Sequence, residues 1–184
     1  MKSKWLLLVL PPLLSACGYN SIQTMDETAA ASKQQIEVQL QRRADLIPNL
    51  VETVKGYAAQ EATIFTAVAE ARAGLIGAVR GGDVRQMANA NDQMTGALGR
   101  LLAISENYPQ LKSDQNFLRL QDELAGTENR IAVSRTDYNN AVRDYNAYIR
   151  KFPAVLTAKV TGAKAREYFE ATSAAAAGPP AVKF

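Results

Sequence analysis

The chain has 184 residues, 47% of them hydrophobic and 21% charged, a composition typical of a folded domain with a real core. One domain is the default expectation at this length. The chain has no histidine and a single cysteine, Cys17. This composition excludes imidazole catalysis, an internal disulfide and a cysteine-rich zinc site, and we expect neither a metal nor a cofactor.

The formal net charge of +3 says little about a nucleic-acid partner. Lys2 and Lys4 lie in the first four residues, and without them the 21 basic residues fall to 19, against 18 acidic ones. No dense basic run with interleaved aromatic residues occurs. We therefore expect no nucleic-acid binding.

The first 16 residues have the layout of a secretory signal peptide. A basic start, "MKSK", precedes an apolar stretch, "WLLLVLPPLL", and the small residues "SA" follow. The apolar stretch is shorter than the roughly 20 residues that cross a bilayer as a helix. Pro11 and Pro12 also work against a continuous spanning helix, because proline removes a backbone donor.

Leu14-Ser15-Ala16-Cys17 resembles a bacterial lipobox. The resemblance implies cleavage before Cys17 and a diacylglycerol on its sulfur, which would hold the protein on a membrane. A general signal peptide cut near Ala16, or an uncleaved anchor, are the alternatives. In lipoproteins, an aspartate directly after the cysteine resembles a signal for retention in the inner membrane. This chain has Gly18 at that position, so the outer membrane is mildly favoured.

After a lipidated tether over residues 17–23, a capping box of Thr24 and Glu27 predicts the start of a helix. An apolar stripe with a seven-residue repeat then favours one long helix to about Arg80, kinked at Pro48. A second helix that begins with Asp45 as its cap is the alternative. The stripe and its companion line contain Leu40, Ile47, Val54, Glu61, Val68, Leu75, and Ile36, Arg43, Leu50, Tyr57, Ile64, Ala71, Ala78.

"RGGD" predicts the end of that helix and the start of another, capped by Asp83 and running to about Asn107. Ser113 or Asp114 is expected to cap a third long helix. Its stripe contains Phe117, Leu124, Ile131, Tyr138, Tyr145 and Phe152.

A short C-terminal helix follows, and residues 173–184 are low in complexity and predicted to be disordered. The pattern predicts an all-α fold over residues 24–172, an antiparallel bundle of three long helices plus the short one.

Four segments resemble the LemA family: "RRADLIPNLVETVKGYAAQE" (42–61), "ENYPQLKSDQNFLRLQDEL" (106–124), "TENRIAVSRTDYNNAVRDYNAYIRKFP" (127–153) and "YFEA" (168–171). The resemblance implies a bundle of long antiparallel helices on the outer side of a bacterial membrane, with no established enzymatic activity or cofactor. The sequence departs from the family at Gln60, where many members have histidine, and at Gly162-Ala163, where an aromatic residue usually follows the glycine. Its lipobox-like leader replaces the longer transmembrane helix of most members.

Two charged residues lie on the apolar stripe of the first helix. Glu61 and Arg43 would need partners if buried, and Arg130 and Arg135 flank the seam of the third helix. The sequence predicts a possible buried polar layer of these four residues, or else side chains that curl out to solvent.

Tyr138, Tyr145 and Tyr148 are predicted to belong to the core, with a ligand groove as the alternative. Tyr57 and Tyr108 are given the same prediction.

The sequence offers poor material for catalysis, with no phosphate-binding glycine loop and no nucleophile elbow. We predict a non-enzymatic lipoprotein of the bacterial envelope, anchored through Cys17, that faces the periplasm or the cell exterior and binds an envelope protein. The alternatives are a protein that binds a lipid or cell-wall fragment, and a hydrolase that uses Glu61 or Asp45.

Overall fold

The computed structural model describes residues 3–170, with side chains from residue 18 onward. The signal peptide and the lipid on Cys17 are predicted for residues whose side chains are not described, and the disordered tail is predicted for residues after 170. These predictions therefore lie outside the described part. Within it the chain is all-α, which confirms the predicted fold class. The elements are α1 (Ser3–Lys55), α2 (Ala62–Gly81), α3 (Val84–Ala103), a 3-10 helix (Ile104–Asn107), α4 (Pro109–Lys112), α5 (Gln115–Tyr148) and α6 (Ala154–Thr161).

The chain divides into two compact units. Unit 1 comprises Met1–Gln35 and Ser134–Tyr168, and unit 2 comprises Ile36–Val133 and Phe169–Phe184. The long helices α1 and α5 each contribute residues to both units. The division therefore cuts through helices and does not follow a flexible linker.

The predicted helix start at Thr24 is wrong, because α1 already includes residues 18–23 and begins at Ser3. Ile22 is buried in unit 1 against Tyr145, Ile149 and Ala158. Burial of such a side chain stabilises by about 1.5–3 kcal/mol, which outweighs the weaker preference of Thr24 for a cap position. The segment expected to be a tether therefore extends the helix.

The prediction of one helix that continues to about Arg80 is wrong, because the helix ends before Gly56. Pro48 lies within α1, which ends at Lys55, and a loop over residues 56–61 leads to α2. Proline deprives the carbonyl of residue i−4, here Ala44, of its helical donor. The Arg72 Nε donates to that carbonyl at 2.8 Å, so the orphaned oxygen is satisfied from α2 and the helix continues.

A helical hairpin of α2 and α3 forms as "RGGD" predicts. Gly82 adopts φ 69°, in the left-handed region that favours glycine, and its N–H donates to the Ala78 and Val79 carbonyls. The Asp83 carboxylate accepts the Gln86 N–H at 2.8 Å and caps α3. The two helices pack against each other.

One helix of the described part, α2, passes the length and composition test for crossing a membrane. Its most apolar window has a mean hydropathy of 1.4, and 22% of that window is buried within the fold. Core helices of soluble proteins pass the same test, so this finding alone is weak support for a span.

The third long helix is also capped as predicted, since Asp114 accepts the Phe117 N–H at 2.9 Å. Its stripe from Phe117 to Tyr145 is buried. The prediction fails at Phe152, which is 80% exposed. Because α5 ends at Tyr148, the helical repeat no longer sets the direction of that side chain.

The core of unit 2 contains the apolar stripes of several helices. Its largest fully buried side chains are Ile36, Leu40, Ile47, Leu50, Leu75, Met87, Met94, Leu101, Leu111 and Phe117. The predicted heptad positions of α1 and α5 supply half of this set. The periodicity therefore identified the core, although it did not identify the end of the first helix.

Candidate functional site

Arg43 is the centre of a polar cluster in unit 2. Its side chain is only 4% exposed, and it extends from α1 towards α3 and α5. One terminal nitrogen donates to Asn91 Oδ1 at 2.5 Å and lies 2.7 Å from a Glu128 carboxylate oxygen. The other donates to Thr95 Oγ1 at 3.0 Å. Arg43 thus joins three helices through one guanidinium group.

The electrostatic environment of Arg43 has two opposing parts. Burial lowers the pKa of its guanidinium, while the carboxylates of Glu128 and Asp92 raise it. Arginine keeps its charge at physiological pH, so the cluster is a buried cation held by one amide, one hydroxyl and one carboxylate. This is the composition of a site that fixes helix register rather than one that transfers protons.

The predicted polar layer does not form as a single set. Arg43 is buried, whereas Glu61 lies partly exposed in the loop before α2 and Arg130 is exposed on α5. Arg135 is partly buried and belongs to unit 1. Among the described residues, no ion pair joins Glu61 to either arginine. The partners of Arg43 are residues that the sequence did not single out.

A second polar cluster, the loop-end cluster, consists of Tyr57, Gln60, Tyr108 and Asp114. The Tyr57 hydroxyl donates to Asp114 Oδ2 at 2.9 Å, and the Gln60 amide donates to the Tyr108 hydroxyl. All of these hydrogen bonds lie at the surface. They tie the loop between α1 and α2 to the segment that precedes α5.

The loop-end cluster also shifts two pKa values. The hydrogen bond to Asp114 raises the pKa of Tyr57. Hydrogen bonds from the Phe117 N–H and from Tyr57 lower the pKa of Asp114. Both shifts favour a neutral tyrosine that donates to an ionised aspartate, so the arrangement is fixed at neutral pH.

The fold brings separate family-like segments together at these two clusters. Tyr57 and Gln60 belong to the segment 42–61, and Tyr108 and Asp114 belong to the segment 106–124. The Arg43–Glu128 pair joins the first of these segments to the segment 127–153. Pairings over 48 to 57 positions leave no periodic signal, so the sequence could not reveal them.

In unit 1 an extended segment after α6 is held by side chains, which we call the Arg166 clamp. The Asn146 side chain donates to the Arg166 carbonyl at 2.9 Å and accepts the Arg166 N–H at 2.8 Å. Arg166 Nε donates to Asp26 Oδ1 at 2.7 Å, and Tyr138 donates its hydroxyl proton to the Glu167 carbonyl. The Asn146 amide thus makes the two hydrogen bonds to the Arg166 backbone that a neighbouring β-strand would otherwise make.

The Arg166 clamp is partly open to solvent. The side chains of Arg166 and Asp26 are 26% and 40% exposed. The hydrogen bond from Arg166 lowers the pKa of Asp26, and the same bond raises the pKa of Arg166. The guanidinium also lies 6.0 Å from the centre of the Tyr145 ring.

The tyrosines divide between core and surface. Tyr138 and Tyr145 are buried, as predicted for core residues, and burial raises the pKa of both. Tyr148 packs partly buried against the Ile22 cluster. The core prediction for Tyr57 is wrong, because Tyr57 lies in an exposed loop and not on a continuing helix. Tyr108 is partly exposed and accepts from Gln60.

In the part of the chain that the structure describes, no three acidic or cysteine side chains lie close enough to hold a metal ion. The two arginine clusters and the loop-end cluster supply hydrogen bonds and charge, although the buried Arg43 Nε donates to no acceptor. The fold and these clusters are those of a helical-bundle protein in which polar side chains join helices and loops through hydrogen bonds and ion pairs.

The comparison with known families agrees with that class. The model of the LemA family matches residues 32–184. The chain belongs to the LemA family.

Three relatives carry names that mention the magnetosome. The chain is 33% identical over 175 residues to magnetosome proteins MamQ 1 and MamQ 2 of Paramagnetospirillum magneticum, an alignment that covers 83% of this chain and 64% of each relative. It is 32% identical over 174 residues to MamQ of Magnetospirillum gryphiswaldense, which covers 82% of this chain and 64% of the relative. The chain thus spans slightly less than two thirds of the length of these relatives.

Proposed function

We propose that this protein is a lipid-anchored interaction module of the bacterial envelope, held on its membrane through Cys17. The observation that carries the proposal is the loop-end cluster, where two distant family-like segments form one hydrogen-bonded, exposed surface. In this proposal the cluster binds another envelope protein. From the magnetosome relatives we carry over only their likeness in sequence, and no partner or cargo.

The chemistry of the loop-end cluster suits recognition. Tyrosine is enriched at protein interfaces because it offers a rigid apolar ring together with a hydroxyl. The hydrogen bonds to Asp114 and from Gln60 hold Tyr57 and Tyr108 in place before a partner arrives. Such order reduces the entropy lost on binding and so supports affinity.

A ligand-binding function gains less support from the structure. Tyr138 and Tyr145, which would line a groove for a lipid or cell-wall fragment, are buried core residues. Their hydroxyl and ring contacts serve the Arg166 clamp. We therefore place the functional surface at the loop-end cluster of unit 2.

The partner proposal is tested by site-specific photocrosslinking in live cells. A photoreactive amino acid in place of Gln60 is expected to give a reproducible protein adduct, which Tyr57→Ala weakens. The matched control is the same amino acid in place of Gln34, an exposed residue of α1. An adduct of equal yield at both positions, or crosslinks to small molecules alone, would contradict the proposal.

The anchor proposal is tested separately with Cys17→Ser. The substitution removes the sulfur to which a diacylglycerol would attach, so the chain should keep its leader and carry no acyl mass. Intact-mass measurement of the unsubstituted protein should instead give a chain that begins at Cys17 with added acyl chains. A mature chain that begins elsewhere and has no acyl mass would refute the lipid anchor.

A further inference from the structure

The short helix α6 and the turn before it expose an apolar ridge. Phe152, Leu156 and Val160 are 80%, 56% and 88% exposed. They are spaced by four residues, so Leu156 and Val160 share one face of α6 and Phe152 precedes them in the turn. The opposite face, with Ala154, Thr157 and Ala158, is buried. The ridge is therefore a continuous apolar feature of unit 1, and its side chains are not used in the core.

The position of α6 in unit 1 is fixed by a close contact with Gly18 of α1. A Cβ atom at Gly18 would lie 3.2 Å from Thr157 Oγ1 and 3.7 Å from the Ala154 Cα. Glycine at position 18 thus allows α6 to pack directly against α1. Gly18 follows Cys17, and the apolar leader stretch ends only three residues before Cys17. The buried face of α6 therefore packs against Gly18, the residue after the proposed attachment point, and the ridge lies on the opposite face of α6.

The charge around the ridge has a single sign. The segment from residue 149 to residue 165 contains Arg150, Lys151, Lys159 and Lys164, and no acidic residue. All four cationic residues are exposed. Apolar side chains beside lysine and arginine are typical of faces that lie in the headgroup region of anionic membranes.

A second aromatic residue strengthens this interpretation. Tyr19, two residues after Cys17 on α1, is also exposed. Aromatic rings with a polar group favour the boundary between headgroups and acyl chains. Tyr19 has such a ring, and it belongs to unit 1, as the exposed Phe152 does.

We propose that the ridge of Phe152, Leu156 and Val160, with its flanking lysines, inserts into the headgroup region of an anionic phospholipid membrane. The occupant is a lipid surface and not a second copy of the chain, because a second copy would bring the same positive charge. The inference rests on the membrane attachment of the proposed function, but not on the lipid at Cys17. The ridge gives unit 1 a second, non-covalent contact with the membrane that the leader or lipid already reaches.

The test measures tryptophan quenching by brominated lipids in vesicles that contain the full chain. In a Trp5→Phe background, Val160→Trp places the probe on the ridge. The matched control is Val133→Trp, because Val133 is an exposed valine that lies 15 residues, roughly 22 Å, before the end of α5. An interfacial helix buries its apolar face about 5–10 Å deep, so the Val160→Trp protein should lose most of its fluorescence and the control almost none.

Lipid charge provides the second arm of the test. Quenching of the Val160→Trp protein should be strong in vesicles with phosphatidylglycerol and weak in vesicles of phosphatidylcholine alone. The added pair Lys151→Glu and Lys159→Glu should abolish the difference, and both lysines are exposed, so folding should be unaffected. Intact mass of the same samples reports whether Cys17 carries a lipid, so the two proposals fail independently.

Several results would overturn the inference. Equal quenching of the Val160→Trp and Val133→Trp proteins would exclude insertion of the ridge. If quenching were the same with and without anionic lipid, and the same after both lysine substitutions, the proposal of an anionic lipid surface would be wrong. Absence of quenching, together with a dimer in detergent that Val160→Ser dissociates, would assign the ridge to a second copy.

Discussion

Two arginines, one in each unit, hold the fold together in different ways. Arg43 in unit 2 is buried among helices, and burial lowers the pKa of its guanidinium. Arg166 in unit 1 lies on an extended segment, partly in solvent, and its bond to Asp26 raises its pKa. The same side chain therefore has a different environment in each unit. Protein groups replace most of the water around Arg43, whereas solvent reaches both Arg166 and Asp26.

The difference extends to the partners. Asn91 and Thr95 are neutral groups that satisfy donors which burial has removed from water. In the Arg166 clamp the most specific contact is the Asn146 amide, which pairs with backbone rather than with charge. We therefore expect substitutions around Arg43 to change stability most, and substitutions around Arg166 to change it less and in a pH-dependent way.

The largest expected effect comes from Arg43→Ala. The change removes a buried stem and leaves the Asn91 and Thr95 oxygens without this donor, so we expect the free energy of unfolding to fall by about 2–4 kcal/mol. The control is Arg42→Ala, at the neighbouring exposed residue, which should change the free energy of unfolding by about 0.5 kcal/mol or less. Urea unfolding in mild detergent, followed by circular dichroism, measures both. Equal losses for the two variants would remove the distinction between buried and exposed arginines.

An intermediate effect is expected at Pro48 and Arg72. Arg72→Met should cost about 1–2 kcal/mol, because the Ala44 carbonyl loses its donor. In a Pro48→Ala background the same change should cost less, since the new N–H at position 48 can donate to Ala44. The double-mutant cycle should give a coupling of about 1 kcal/mol in the free energy of unfolding. Additive effects would show that the Arg72 contact does not compensate for the proline.

The smallest effect is expected at Asp26, and it depends on pH. Because Arg166 lowers the pKa of Asp26 in the folded state, the pair stabilises the protein above the unfolded pKa of about 3.9 and loses that contribution as pH falls through the folded pKa. Asp26→Asn should therefore reduce stability slightly at neutral pH, by about 1 kcal/mol or less for so exposed a pair. As pH falls below about 4 and through the lowered folded pKa of Asp26, the difference in stability between the variant and the unsubstituted protein should shrink.

A pH series of unfolding curves checks this last prediction. The control is Asp122→Asn, because Asp122 is exposed on α5 in unit 2. That change should leave the acid dependence of the free energy of unfolding close to that of the unsubstituted protein. A constant difference between the Asp26→Asn variant and the unsubstituted protein at all pH values would show that the carboxylate charge is not involved.

The sequence by itself determined the all-α class, several helix ends and most of the core. Seven-residue spacing predicted that Leu40, Ile47 and Tyr138 are buried, and it did so because a helix repeats its buried face at a fixed interval. Gly82, Asp83 and Asp114 predicted helix ends because their side chains, or the lack of one, act on the backbone a few residues away. These are local causes, and local causes are visible in a sequence.

Only the tertiary structure decided what depends on distant partners. Pro48 stays within a continuous helix because Arg72, 24 residues later, satisfies Ala44. Arg43 pairs with Glu128 because the fold brings α5 next to α1. Glu61, whose predicted partners were Arg130 and Arg135, lies in the loop that follows Gly56. Phe152 is exposed because α5 ends before it. A seven-residue spacing predicts burial only for residues that belong to the same helix. Partner choice requires three-dimensional proximity, and a linear pattern contains no record of it.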